Sequence, residues 1–113
     1  MNPLKKYCEY LQNKDLDGLL SLFADKFLFD DRGGQDLGRP PFIREDKESY
    51  SAAMAAVFAA PGPWEVSFHG LAYGNVVYYD VFRGDVLLPC VGVCRTNEEG
   101  KITEYKVFVR EQD

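Results

Sequence analysis

The main change in the hydrophobic period of this chain lies at Pro61-Gly62-Pro63. Before this break most apolar residues recur at the three- and four-residue spacing of helices, and after it they alternate as in strands. Two prolines around a glycine end a helix and do not fit a central strand. Helices followed by consecutive strands predict an α+β domain, with residues 1–113 forming one domain of ordinary size.

Three amphipathic helices are predicted before the break. Asn2 and Asp15 are suited to cap the first two, and Pro40-Pro41 is predicted to begin the third. The apolar stripe of the first helix consists of Leu4, Tyr7, Cys8 and Leu11. That of the second consists of Leu16, Leu19, Leu20 and Phe23. That of the third consists of Phe42, Ile43, Tyr50, Met54, Val57 and Phe58.

The predicted strands lie at residues 27–31 and, after the break, at 64–72, 76–82, 86–95 and 102–110. Residues 32–41 hold three glycines and two prolines and are predicted to form a loop. Short turns join the last four strands, so we expect them to run antiparallel. A curved antiparallel sheet wrapped around the N-terminal helices would form a cone with a small-molecule pocket inside.

Composition excludes several functional classes. The net charge is −5 without a lysine- or arginine-rich run, which argues against a nucleic-acid partner. The start is not an apolar signal segment and no stretch could span a bilayer, so we expect a cytoplasmic protein without a membrane partner. The three cysteines lack the spacing of metal ligands or of a disulfide framework. The sequence also shows no cluster of metal-ligand residues and no loop of the kind that cradles phosphates, so we expect no metal and no other cofactor.

A possible catalytic carboxylate ends the aromatic strand at 27–31. Phe27, Phe29 and Asp31 share one face of this strand, while Asp30 points to the opposite surface. A carboxylate beside aromatic walls loses water, which disfavours its charged form and suits it to act as a general base near neutral pH. The alternative is that both aspartates end the strand in a solvated turn.

The N-terminal third carries a family pattern. The segment NKDLDGLLSLFAD at residues 13–25, the short strand and glycine-rich loop that follow, and the late segment GKITE at residues 100–104 resemble the nuclear transport factor 2-like superfamily. This superfamily includes ketosteroid isomerases and SnoaL-like proteins. The resemblance implies a cone-shaped α+β fold, and its members include both enzymes and proteins without known chemistry.

Among these relatives, the ketosteroid isomerase pattern implies specific roles. It places Tyr7 at the tyrosine that stabilises the enolate oxygen and Asp31 at the catalytic base. In that enzyme, a worked example of pKa tuning, a protonated aspartic acid is the second hydrogen-bond donor. Its position corresponds here to Gly92, so this chain lacks that acid.

Asp80 is a candidate replacement for the missing acid. It shares a strand face with Tyr78 and Phe82, and this is the face that the family turns toward its cavity. The opposite orientation stays open, because Val77 and Val81 on the other face also suit a core. With Asp80 inside, two carboxylates would face one apolar space, and repulsion would keep one of them protonated.

Other side chains are expected to form the walls of the pocket: Phe27, Phe29, Tyr50, Met54, Trp64, Tyr78, Phe82, Cys90 and Gly92. His69 is the only histidine and is predicted to be an ordinary surface residue. The charged run at residues 44–48 is predicted to be a solvated helix face.

Two functions are compatible with this pattern. The first is an isomerase-like or lyase-like catalyst without a cofactor, which acts by proton transfer on a hydrophobic small molecule. The second is a non-catalytic module that binds a ligand or forms a homodimer. The apolar sheet face expected for a homodimer interface consists of Val91, Val93, Val107 and Val109.

Overall fold

The structure, a computed structural model, describes residues 2–33 and 38–110. Residues 34–37, in the predicted loop at 32–41, lie outside the described residues. The helices are α1 (Pro3–Gln12), α2 (Leu16–Ser21) and α3 (Lys47–Ala59). The strands are β1 (Phe23–Asp31), β2 (Phe42–Asp46), β3 (Trp64–Ala72), β4 (Val76–Arg83), β5 (Val86–Thr96) and β6 (Ile102–Val109).

The six strands form one curved, open sheet in the order β2-β1-β6-β5-β4-β3. This confirms the predicted α+β fold with a curved sheet around the N-terminal helices. The four strands after the break are antiparallel, as expected, whereas β1 pairs with β6 in parallel and makes the sheet mixed. Because β1 is inserted beside the last strand, the residues around Asp31 lie next to Val107.

The core lies between the helices and the concave face of the sheet. The side-chain oxygen of Asn2 accepts from the backbone N–H of Leu4 at 2.8 Å, which caps α1 and fixes its rotation. The whole predicted stripe of α1 is buried, and Leu4 is completely inaccessible to solvent. Trp64 on β3 ties the end of α1 to the sheet, since its indole N–H donates to the carbonyl oxygen of Leu11 at 2.9 Å.

The region after Pro40-Pro41 differs from the prediction. Residues 42–46 form β2, which pairs antiparallel with β1, and the third helix begins only at Lys47. Asp46 caps this helix by accepting from the backbone N–H of Ser49 at 2.7 Å. The assignment of Phe42 and Ile43 to a helix was therefore wrong, because pairing with β1 decides the structure of this short segment.

The orientation of β4 is the reverse of the one used to place Asp80. Val77 and Tyr79 are buried on the concave face, whereas Tyr78, Asp80 and Phe82 lie on the convex face. The register of β4 with β5 fixes this choice, because Tyr79 pairs with buried Cys90 and Asp80 pairs with Pro89. No helix in the described part of the chain is long and apolar enough to cross a membrane.

The faces of β5 and β6 also differ in part from the prediction. Val91 lies on the convex face beside Phe108, as an apolar interface would require. Val107 and Val109 lie on the concave face instead, in register with Gly92 and Cys90. The convex apolar surface therefore includes Phe108 but not these two valines.

Candidate active site

A cavity of about 510 Å³ lies between the concave face of the sheet and the helices. Aliphatic and aromatic side chains form most of its wall: Leu11, Phe29, Phe42, Met54, Val57, Trp64, Val81, Leu88 and Val107. The hydroxyl-bearing residues are Tyr7 and Tyr79, and the charged ones are Asp31, Arg39, Arg44 and Arg83. Its size and composition are those of a site for one small organic molecule.

Among residues 2–33 and 38–110, Asp31 is the only carboxylate that lines this cavity. It lies at the end of β1 and is partly buried, and its Oδ1 accepts from the backbone N–H of Gly33 at 2.8 Å. Burial raises the pKa of Asp31 above its ordinary value of 3.8, and the nearby charge of Asp30 adds to this. The hydrogen bond from Gly33 opposes the rise but does not cancel it. The turn after Asp31 therefore orients the carboxylate and leaves it more basic than an ordinary aspartate.

Asp30 does not lie free at the surface, as the alternation of β1 had suggested. The residue is 6% exposed, and its carboxylate forms an ion pair with Arg32, whose Nε and Nη2 donate at 3.1–3.2 Å. The two neighbouring aspartates thus have different environments. Asp30 has a partner on the convex side, and Asp31 faces the cavity.

Tyr7 and Tyr50 lie close to the Asp31 carboxylate. Burial raises the pKa of each hydroxyl, and the negative charge of Asp31 raises both further. Both phenols are therefore protonated and able to donate at neutral pH. Tyr50 is completely buried, and its hydroxyl has no hydrogen-bond partner among residues 2–33 and 38–110. The neighbouring Tyr7 influences the pKa of Tyr50, but the two hydroxyls fall short of hydrogen-bond geometry.

A second pair of buried tyrosines lies on β4 and β6. The hydroxyl of Tyr105 donates to the hydroxyl of Tyr79 at 3.3 Å, and burial raises the pKa of both well above the ordinary value. The ring of Tyr7 lies 4.6 Å from that of Tyr105 and 6.4 Å from that of Tyr79, measured between centroids. The aromatic packing thus places Tyr7 and Tyr79 together in the wall of the same cavity.

Gly92 leaves no room for an acid in this cavity. A β-carbon at this position would lie 2.8 Å from Cζ of Tyr105 and closer still to its hydroxyl. The family acid and Tyr105 therefore compete for one volume, and in this chain Tyr105 occupies it.

The other predicted pocket residues fall into three groups. Phe29, Met54, Trp64 and Cys90 line the cavity. Phe27, Tyr50 and Gly92 lie behind the wall, where Phe27 packs against Tyr50 with ring centroids 5.8 Å apart. Tyr78 and Phe82 do not face the cavity, because the orientation of β4 is reversed.

Asp80 is also excluded from the cavity. On the convex face it forms an ion pair with Arg110, and its Oδ2 lies 2.8 Å from Nε2 of His69. The prediction that two carboxylates share the apolar space was therefore wrong, and no acid–base pair of Asp31 with Asp80 is possible. Asp80 and His69 form a structural cluster instead.

Sequence reasoning missed Tyr79, Tyr105, Arg44 and Arg83. The β-branched residues Val77 and Val81 were a signal that Tyr79 faces inward, since they belong to the same face. Arg44 was assigned to a solvated helix but lies on β2, with its guanidinium carbon 4.2 Å from the centre of the Phe42 ring. Among the described residues, no group of three or more histidine, cysteine, aspartate or glutamate side chains is arranged to hold a metal ion.

A comparison of the sequence with known protein families shows which family it belongs to. The family model of the SnoaL-like domain matches residues 4–105. The chain belongs to the SnoaL-like family. This family is part of the nuclear transport factor 2-like superfamily, as the N-terminal pattern had indicated, and the recognition from sequence is confirmed. A comparison with curated proteins finds no match.

Several solved structures are similar to this SnoaL-like protein over nearly the whole length of its chain. A Kribbella flavida protein provisionally named a ketosteroid isomerase is 18% identical, with a TM-score of 0.72 over 97% of this chain and 76% of that one. A SnoaL-like protein of unknown function from Burkholderia thailandensis is 18% identical, with a TM-score of 0.72 over 96% and 92%. An epoxide hydrolase of M. tuberculosis, described as LEH-like, is 18% identical, with a TM-score of 0.67 over 95% and 79%. These identities establish a shared fold.

Proposed function

We propose that this SnoaL-like protein binds an apolar carbonyl compound in its cavity and catalyses proton transfer within it. The observation that carries the proposal is the position of Asp31, a carboxylate of raised pKa at an apolar cavity lined by two protonated phenols. At the level of the family, the fold supports either an isomerase-like protein or a ligand-binding module.

The reaction begins with removal of a proton from the carbon next to the carbonyl group. The Asp31 carboxylate accepts this proton, and the electron pair of the C–H bond moves toward the carbonyl oxygen to form an enolate. Return of the same proton to another carbon of the conjugated system gives the isomer and regenerates the carboxylate. Because the pKa of Asp31 is raised, the carboxylate is a stronger base than an ordinary aspartate.

Tyr7 and Tyr79 are the proposed donors to the enolate oxygen. Both line the cavity and both keep their protons at neutral pH. The hydroxyls of Tyr79 and Tyr105 form one hydrogen-bonded pair, and when Tyr105 is the donor in this pair the proton of Tyr79 can point toward a ligand. Tyr79 would thus take the part of the acid that is missing at Gly92, and Tyr105 would be a positioning residue. One such donor is typically worth about 10²–10³ in rate.

The experiment follows the isomerisation of β,γ-unsaturated ketones, or hydrogen–deuterium exchange next to their carbonyl group, in wild type and in Asp31→Asn. We expect the variant to lose at least ~10²-fold in rate, the lower range for a general base. Asp25→Asn is the matched control, because Asp25 lies on the same strand with its side chain fully exposed. Equal rates for wild type and Asp31→Asn would remove Asp31 from the mechanism.

A second candidate function is association of two copies through the convex face, with or without catalysis. Large apolar side chains are exposed there: Phe82, Leu87 and Phe108. Leu87 on β5 is 57% exposed and pairs with exposed Phe82 on β4, so the two form one apolar patch of the kind that marks an interface. We expect Leu87→Glu to shift a dimer to monomer in sedimentation at micromolar concentration. Tyr73→Glu, at an exposed turn, is the control, and a wild-type monomer would refute this function.

A further inference from the structure

The charges at the cavity oppose the charge of the whole chain. The protein carries a net charge of −5, yet among residues 2–33 and 38–110 three arginines and a single aspartate line the cavity. A local excess of positive charge at an apolar cavity selects ligands of opposite charge. The arginines therefore indicate which chemical group a ligand of this cavity carries.

Two of the arginines have free hydrogen-bonding capacity. Arg44 lies on the Phe42 ring, and its Nη1 donates to the carbonyl oxygen of Ile43 at 2.7 Å, which holds the guanidinium in place. Arg83 lies at the exposed end of β4. Neither forms an ion pair with a carboxylate within residues 2–33 and 38–110. An arginine whose guanidinium group has no carboxylate partner is well suited to bind a carboxylate or sulfonate through paired hydrogen bonds.

The arginines also define a direction along the cavity. Arg83 is four residues from Tyr79 on β4, and this corresponds to about 13 Å of strand. Arg44 pairs with Phe29, two residues before Asp31 on β1. A ligand with its reacting oxygen at Tyr79 would therefore place its far end near Arg83.

We propose that the cavity binds an elongated apolar molecule that carries an anionic group, which Arg83 binds at the far end and which the positive charge of Arg44 also attracts. This inference rests on the proposed ligand-binding function and names the class of ligand. The apolar body would lie along Met54, Val81 and Leu88, and the anion would stay at the solvent-accessible end. Desolvation of the charged group is then small, so the arginines add to affinity without the cost of a buried charge.

The test uses two fluorescent probes that differ only in one anionic group: 8-anilinonaphthalene-1-sulfonate and uncharged N-phenyl-1-naphthylamine. We expect wild type to bind the sulfonate at least ~10-fold more tightly, and to release the uncharged probe when the sulfonate is added. The double variant R44Q/R83Q should lose this preference, about threefold to fivefold for each arginine, as for partly exposed ion pairs. Its affinity for the uncharged probe should not change.

Arg95→Gln is the matched control, since Arg95 is exposed on β5 and does not line the cavity. An equal loss of sulfonate affinity in R95Q and R44Q/R83Q would assign the preference to overall charge and overturn the inference. Equal affinity of wild type for both probes, or a sulfonate that does not displace the uncharged probe, would also overturn it. In both cases the cavity still binds an apolar ligand. Failure of wild type to bind either probe would instead contradict the proposed ligand-binding function and remove the basis of this inference.

Discussion

The ring of Tyr105 on β6 packs directly against the backbone of Gly92 on β5, so that its Cζ atom lies 2.8 Å from the position of a β-carbon at residue 92. Gly92 is therefore needed for space, and the loss of the family acid is coupled to the presence of this tyrosine. The same contact places the Tyr105 hydroxyl against Tyr79, which lines the cavity.

Substitution of Gly92 tests this coupling. We expect Gly92→Ala to destabilise the protein by about 1–3 kcal/mol, because the added methyl group displaces a buried ring. Tyr105→Leu removes the ring and should make the same alanine substitution nearly neutral. Urea unfolding of the two single variants and the double variant measures the coupling energy. Additive effects would show that Tyr105 can move aside and that Gly92 has another role.

The stability of Asp31→Asn should depend on pH. The pKa of Asp31 is raised in the folded protein, so between the ordinary value of 3.8 and the folded value the folded state binds more protons than the unfolded state. The wild type therefore loses stability as pH rises through this window and does not regain it at neutral pH. We expect the asparagine variant to have the higher melting temperature at pH 7 and no advantage below about pH 3.8. An equal advantage at every pH would mean that ionisation of Asp31 is not its cause.

The same pKa sets the pH dependence of catalysis. The base must be ionised, so kcat/KM should fall as pH decreases through the raised pKa of Asp31. A profile from pH 3 to 8 measures this. Replacement of Asp31 by glutamate keeps a carboxylate and should retain a falling acid limb at lower rate. A profile that stays flat down to pH 4 would contradict a base of raised pKa.

The thiols should be unreactive in the folded protein. Burial is the main cause that raises the pKa of Cys8 and of Cys90 to about 12, and it also raises that of Cys94. At pH 8 a thiol of pKa 12 is about a thousandfold less ionised than one near 9, and the thiolate is the reactive form. We expect iodoacetamide to label none of the three until urea unfolds the protein, when all three should react. Rapid native labelling of Cys90 would show that the cavity favours a thiolate.

The sequence predicts local structure well where burial and capping agree. The predicted apolar stripe of α1 agrees with the structure, because the cap at Asn2 fixes where the helix starts. The start of the helix then determines which residues, three and four apart, face the core. The β-branched residues Val77 and Val81 favoured the observed orientation of β4 but did not decide it, since Tyr78 and Phe82 on the other face are also apolar. Only the register with β5, set across a turn and by the whole sheet, turns Tyr79 inward.

The site shows the same limit. Asp31 could be proposed from the alternation of one strand, because its neighbours Phe27 and Phe29 are aromatic. The contact of Tyr105 with Gly92 and the position of Arg44 depend on pairing between strands that are distant in the chain. Residue patterns within one segment carry no information about such pairs.

The hydroxyl of Tyr50 has no hydrogen-bond partner among the described residues, so its removal should affect stability and function differently from removal of the Tyr79 hydroxyl. Removal of a buried hydroxyl without a partner relieves a desolvation cost, so Tyr50→Phe should leave the free energy of unfolding unchanged or raise it by up to about 1 kcal/mol. Tyr79→Phe is the matched comparison. It breaks the bond with Tyr105 and leaves that hydroxyl with no described partner, which should cost about 1–3 kcal/mol.

Unfolding in urea measures both variants, and the isomerisation assay measures their rates. We expect Tyr79→Phe to lower the rate because it removes a proposed donor, while Tyr50→Phe should bind an apolar probe as well as wild type does. A loss of 1 kcal/mol or more in Tyr50→Phe would mean that its hydroxyl has a partner in solution. The Tyr7 hydroxyl and the Asp31 carboxylate are the candidates for that partner, because both act on the pKa of Tyr50.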